Sequence, residues 1–226
     1  VGAEDVVTYE RFGAVGDGNH DDLPAICEAH EYANAQGLPI RTNPDATYHL
    51  GRKALTAIIA TDTDWGTSHF TIDDTDVEDR GTSLFVVRSL LKPEKLDIDR
   101  LQRDQKQLDV RPDYDCFVSV TNKNIKRYIR RGLNRNSGTS QRDSFILHRD
   151  GSIEGDIDWD YDNTSRVEAR PIDDKRLFLR GGVFTTTANR MKHEVGYRYW
   201  CRNIVITRSN TEVNGLVHRV VGETSV

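Results

Sequence analysis

The densest run of side chains that could do chemistry is Asp156, Asp158, Asp160 and Asp162, four carboxylates at every second position. Ile153, Ile157, Trp159 and Tyr161 fall on the other parity. An extended strand over Ser152 to Tyr161 would therefore place apolar side chains on one face and carboxylates on the other. Carboxylates two residues apart on a strand are separated by about 7 Å. That spacing suits a shared cation, with Ca²⁺ the ion that clustered carboxylates take. It equally suits an acid and a base on opposite sides of a sugar bond. A solvated strand face carries the same pattern with no chemistry at all, and both readings stand.

Cationic groups that could work beside these acids are Arg130 and Arg202, as proton acceptors or as clamps on a carboxylate, which the guanidinium fork matches. Arg130 lies in a basic stretch with Lys123, Lys126, Arg127, Arg131, Arg135 and Arg142, where Asp143 is the one acid and Tyr128 an interleaved aromatic. Such a stretch could grip phosphate or uronate groups, or be a solvated edge packed against the acidic first eighty residues. Asp158, Asp160, Arg130 and Arg202 are thus the catalytic candidates. Asp156, Asp162 and His218 are the substrate-binding ones, although a single His in an apolar strand more often packs or bonds a turn.

The elements that must position these groups begin with Phe12 to Asp22, FGAVGDGNHDD. Its glycines permit a positive-φ path, and Asp17, Asp21 and Asp22 supply acceptors for a turn and a helix N-terminus. Leu23, Ile26, Cys27 and His30 then recur at helical spacing, and Gly37 supplies the stop. No nucleotide-binding loop is present, because GxxxxGK[ST] and a strand-borne GxGxxG are both missing. From Gly37 on, short β runs bounded by Gly, Asp, Thr or Asn dominate: Leu38–Ile40, Tyr48–Leu50, Ala57–Ala60, His69–Ile72, Ser83–Val87, Cys116–Val120 and Ser144–Leu147. A strand–Gly turn–strand follows at Arg176–Phe184, then Arg202–Ile206 and Gly215–Val220. Leu90 to Asp109 breaks this rhythm with charge and near-helical spacing, and reads as a short helix or lid-like excursion.

FGAVGDGNHDD, followed by Gly37-Leu38-Pro39-Ile40 and Thr47-Tyr48-His49-Leu50, resembles the N-terminal signature of pectin-lyase-like proteins. Asn43-Pro44-Asp45-Ala46 departs from that signature, where a Pro-Gly turn is usual. The resemblance implies an all-β fold, a right-handed parallel β-helix with a short N-terminal capping α-helix, spanning 1–226 as one domain with 90–110 as an excursion. It implies a carbohydrate-active protein, hydrolase or lyase, acting on an acidic polysaccharide at the outer face. The alternative is a non-catalytic glycan-binding or structural segment of adhesin or tailspike type. The polygalacturonase catalytic segments do not carry over: no Gly-His-Gly or Arg-Ile-Lys occurs, and Asn163-Thr164 is followed by Ser165. A secreted, periplasmic or cell-surface location and a homo-oligomer fit the same resemblance. The run of β coils reaching Val226 without an evident closing cap reads as the N-terminal portion of a longer protein.

Composition narrows the classes further. With 36 acidic and 31 basic residues, the net charge of −5 does not favour nucleic acid as a partner. No apolar run approaches a membrane span. Cys27, Cys116 and Cys201 have neither CxxC spacing nor an even count, so zinc ligation and a disulfide framework are not indicated.

Overall fold

The computed structural model describes residues 6–127, 138–188, 190 and 201–223. They group into two compact units, one formed by the segments up to Leu90 and from Lys175, the other by Leu91–Asp174. The protein is mostly β, with one α-helix among the described residues.

The first unit is built on two sheets of parallel strands. In the larger, β1 (Asp17–Asp21), β3 (Thr47–Leu50), β5 (Thr63–Asp73) and β11 (Leu177–Thr187) lie side by side. β2 (Ile40–Arg41) pairs with β5, and β13 (Thr211–Asn214) and β14 (Val217–Val221) both pair with β11. The smaller sheet runs β4 (Ala57–Ile59), β6 (Phe85–Val87), β12 (Ile204–Ile206). Register aligns Tyr48, Phe70, Phe184 and His218 in one column. Phe70 and Phe184 stack at 4.5 Å between centroids, with Tyr48 5.2 Å from Phe70 and Trp65 edge-on to Phe184 at 5.1 Å. Parallel sheets need apolar side chains on the covered face, and this column supplies them. The run 176–184, expected as strand–turn–strand, is one continuous strand that bends at Gly181 (φ 69°). Gly181 is in register with Gly66, and a Cβ there would collide with the Gly66 backbone.

The Gly-rich opening contains more β structure than its composition suggests. Val7 makes a single bridge to Ile40, Tyr9–Phe12 is a 3₁₀ turn, and Asp17–Asp21 is β1. α1 (Leu23–Gln36) forms as its spacing requires and stops at Gly37 in the left-handed region. The three aspartates are architectural, but they clamp turns more than they cap the helix. Asp22 is fully buried and accepts Val15 N at 2.7 Å and Gly16 N at 3.1 Å. Asp21 accepts Gly51 N at 2.9 Å and Leu23 N at 3.2 Å, while Asp17 accepts Asn19 N and His20 N.

The second unit is antiparallel, in the order β10 (Arg166–Pro171), β7 (Cys116–Arg127), β8 (Thr139–Leu147), β9 (Ile153–Glu154). Its own core includes Ile98, Leu101, Leu108, Val118, Phe145 and Ile157. The stretch 90–110 contains no helix. Its apolar residues serve this second core, and single bridges at Glu94, Leu101 and Gln107 hold it. Among the described residues the three cysteines form no disulfide, and Cys116 is buried.

Candidate functional site

Residues 152–161 do not form the expected strand. β9 ends at Glu154, Gly155 takes φ 106°, and the chain beyond is irregular. Burial then recurs at a spacing of four, not two: Ile157 and Tyr161 are buried, whereas Trp159, expected inside, is 39% exposed. Main-chain bonds pin the segment at these anchors, Asp104 N to Ile157 O at 2.9 Å and Tyr161 N to Leu101 O at 2.8 Å.

All four aspartates stay exposed, but the segment that carries them is not a strand and they make separate contacts. Asp156 pairs with Lys106 Nζ at 3.0 Å, and Asp160 accepts Arg103 N at 2.8 Å. Asp158 and Asp162 are exposed. Among the described residues no group of three or more His, Cys, Asp or Glu side chains is arranged to hold a metal ion. The aspartate run therefore does not fit the Ca²⁺ cluster that its spacing suggested.

A different acid accompanies Asp158. Along β8 the side chains of Gln141, Asp143, Phe145 and Leu147 alternate inward, so Asp143 takes a core-facing position. Burial raises its pKa above the usual carboxylate range, the nearby Asp158 charge adds to the rise, and the Tyr161 hydroxyl and the N–H groups of Asp158 and Trp159 oppose it. Burial and the Asp143 charge likewise raise the pKa of Tyr161. Asp143 Oδ2, Gln141 Oε1 and the Tyr161 hydroxyl are buried without an aligned hydrogen-bond partner among the described residues. Asp143 and Tyr161 are thus close enough to interact without standard geometry. Gln141 Nε2 donates to Asp160 O at 2.9 Å, tying the irregular segment to β8. The Arg127 guanidinium lies 4.0 Å from the Trp159 ring centroid, a cation–π contact. One recessed, hard-to-ionise carboxyl, one exposed carboxylate, an exposed indole and a guanidinium thus converge in the second unit.

The remaining candidates lie elsewhere. Arg202 belongs to the first unit and is buried; its Nε meets Asp74 Oδ1 at 3.0 Å, and its other nitrogens reach the carbonyls of Leu50, Gly51 and Lys53. Those contacts fasten the turn after β3. His218, also in the first unit, is exposed on β14 and meets Thr186 Oγ1 at 3.0 Å. It ends the aromatic column and lines a cavity of about 620 Å³ together with Phe184, Leu216 and Val213. Arg130, with Tyr128, Arg131 and Arg135, lies outside the described residues. In the sequence Asp143 stands as the one acid of a basic stretch, which masks its inward position on β8. The available signal was its parity with Phe145 and Leu147.

No family model matches the sequence, and no curated protein matches it. Among solved structures, the chain is similar to the tailspike protein gp49 from Pseudomonas phage LKA1, with a TM-score of 0.51 and 16% identity. The match covers 80% of this chain and 34% of that one, so the chain spans about a third of the neighbour's length. At this identity the likeness is one of fold. No helix among the described residues is long and apolar enough to cross a membrane.

Proposed function

We propose that this chain is a tailspike-like, carbohydrate-active protein. On this reading the parallel ladders of the first unit are coils of a right-handed β-helix, and the second unit carries the glycan site. The observation that supports it is the pairing of Asp143 with Asp158 beside the exposed Trp159. A sugar ring stacks on an indole face, and Arg127 offers a fork to a uronate carboxylate. A carboxyl whose pKa burial raises is better suited to donate a proton to the glycosidic oxygen, while a neighbouring exposed carboxylate activates water. Asp143 is the acid and Asp158 the base in this scheme, with Asp160 and Asp156 holding the segment. Arg202 is a poor proton acceptor for a lyase reaction, because Asp74 and three carbonyls already engage its guanidinium.

A second reading, glycan binding without turnover, draws on the recession of Asp143, which is 7% exposed. A cell-surface or extracellular setting suits both readings. The test is incubation with polygalacturonate and a panel of acidic bacterial polysaccharides. Reducing ends, the ultraviolet absorbance of unsaturated uronates, and binding by glycan array are followed for wild type, Asp143→Asn, Asp158→Asn and Trp159→Ala. Hydrolysis lost in both Asp variants supports the enzyme. Binding lost only in Trp159→Ala, with no turnover by wild type, supports the lectin-like reading. Neither binding nor turnover by wild type refutes both.

A further inference from the structure

The antiparallel sheet of the second unit has a second face, opposite the one that carries Asp143. Val118, Val120, Phe145 and Leu147 turn inward along β7 and β8, so Phe117, Ser119 and Ser144 turn outward. Register sets Ser119 between Ser144 and Glu168, Phe117 between Ile146 and Arg170, and Thr121 between Arg142 and Arg166. The Ser144 hydroxyl donates to Ser119 Oγ at 3.2 Å, and Phe117 is 48% exposed. Apart from Phe117 and Ile146 these outward positions are polar or charged, unlike the apolar centre of a subunit contact. The carboxylates of this face are already held: Glu168 by Arg166, and Asp115 and Glu154, at one end, by His148. Two guanidiniums are left over. Arg142 donates only to Thr121 Oγ1, at 3.3 Å, and Arg170 has no polar partner among the described residues.

We propose that this face binds a carboxylated polysaccharide, at a site separate from the one beside Asp143. Arg142 and Arg170 each take a carboxylate in the guanidinium fork, and Phe117 packs beneath a sugar ring. The two arginines lie diagonally across the sheet, on β8 and β10 with β7 between them. Strand spacing and rise put their Cα atoms roughly 17 Å apart, with Ser119 midway. That is too far for one small anion, so the ligand is a chain with repeated charges. The Ser119 and Ser144 hydroxyls meet its own hydroxyls between the two ends. Single-stranded nucleic acid stacks its bases on a series of aromatic rings, and this face offers only Phe117. The carbohydrate nature of the ligand rests on the reading given above, whereas its charge and length follow from this face. A polymer gripped here is retained between encounters with the other site, which raises its effective concentration there.

The experiment is affinity electrophoresis and titration calorimetry of the 226-residue chain with polygalacturonate, its uncharged methyl ester and poly(dT), with sedimentation velocity alongside. Wild type should bind polygalacturonate, less tightly as salt is raised, and should not bind the ester. Arg142→Glu combined with Arg170→Glu should weaken binding by about tenfold or more. Arg170→Lys, which keeps the charge without the fork, should fall between. Phe117→Ala should weaken binding with its salt dependence unchanged. Asp143→Asn, Asp158→Asn and Trp159→Ala should leave the salt-dependent binding in place, so the two sites are read separately. Binding that survives the double arginine variant and disappears in Trp159→Ala overturns the proposal while the reading above stands. Wild type that binds no polygalacturonate, binds the ester equally or prefers poly(dT) overturns it as well. So does an oligomer that Phe117→Ala or Arg170→Glu dissociates, which would make this face a subunit contact.

Discussion

The Tyr9 hydroxyl stands 2.9 Å from His30 Nε2 and also receives the Trp65 indole N–H at 3.0 Å. An indole nitrogen can only donate, so Tyr9 accepts from Trp65 and keeps its own proton to give to the Nε2 of a neutral His30. All three side chains are fully buried beneath α1, and His30 Nδ1 has no partner among the described residues. The helix is thus joined to the aromatic column by a relay that works only with a neutral imidazole.

Acid should therefore loosen the first unit. Burial pushes the His30 pKa down from 6.5 to about 3. A depressed pKa means that the unfolded chain binds the proton first. The His30 contribution is complete above pH 6.5 and declines as pH falls toward 3, by about 1.4 kcal/mol per pH unit for one proton. Denaturant melts of wild type and His30→Gln between pH 7 and pH 4 check this. Wild type should lose stability more steeply, and equal slopes would contradict the relay.

Asp22 is the second pillar of the opening motif. Its buried carboxylate satisfies two backbone N–H groups, those of Val15 and Gly16. Asp22→Ala strands both donors, at a cost of about 3 kcal/mol, or about 6–12 °C in melting temperature for a chain of this size. Asp17→Ala, whose acceptors serve an exposed turn, should cost less than about 1 kcal/mol. Differential scanning calorimetry separates the two.

Much of the first unit is legible because several of its strands carry a short apolar run between turn residues. Tyr48–Leu50, Ala57–Ile59 and Phe85–Val87 emerge nearly where the runs lie. β1 was hidden because Asp17-Gly18-Asn19-His20-Asp21 has no apolar residue at all, and it forms by pairing with β3. β10 was hidden for a similar reason: half of Arg166–Pro171 is charged, and β7 supplies its pairing. The aspartate run misled because period two in sequence does not require a strand. Gly155 turns the chain out of β9, and the anchors Ile157 and Tyr161 impose a spacing of four that releases Trp159. Asp158 was therefore picked out for a reason that failed, and its neighbour Asp143 was visible only once β8 showed which face is inside.

Gly181 tests the bend of β11. A side chain there would meet the Gly66 carbonyl, and φ 69° is a region that L residues rarely adopt. Gly181→Ala should destabilise by about 2–4 kcal/mol, combining backbone strain with overpacking. Chemical denaturation checks it. A loss below about 1 kcal/mol would mean that the two ladders can separate at this point.

His148 predicts an opposite pH response in the second unit. Its Nδ1 meets Asp115 at 3.0 Å and its Nε2 meets Glu154 at 3.3 Å, so it links the strand ends around β7, β8 and β9. Arg149 lies alongside, paired with Asp174. The Asp115 hydrogen bond is the main cause that raises the His148 pKa. A raised pKa gives stabilisation that is full below 6.5 and lost as pH climbs through the higher folded value. Hydrogen exchange at Ser152 and Ile153 should quicken between pH 6 and pH 8 beyond the intrinsic rate increase. In His148→Gln this extra quickening should be absent.

Asp143 joins the stability argument to the proposed chemistry. Its folded pKa is raised, chiefly by burial, so the folded state holds the proton better than the unfolded one. The carboxyl therefore favours folding at low pH, and that advantage is lost as pH rises through the folded pKa. At neutral pH the side chain is a burden on β8, where Phe145 and Leu147 fill the other inward positions. Asp143→Asn keeps the shape and removes the ionisation, and should raise stability at pH 7 by about 0.5–2 kcal/mol, as expected where a site sacrifices stability for function. The gain should shrink toward pH 4. Melting temperatures of wild type and Asp143→Asn across this range, set beside the polysaccharide assay, give the decisive comparison. A variant more stable at pH 7 and devoid of turnover fits an acid kept for catalysis. A variant less stable at pH 7 would make Asp143 a structural acceptor instead.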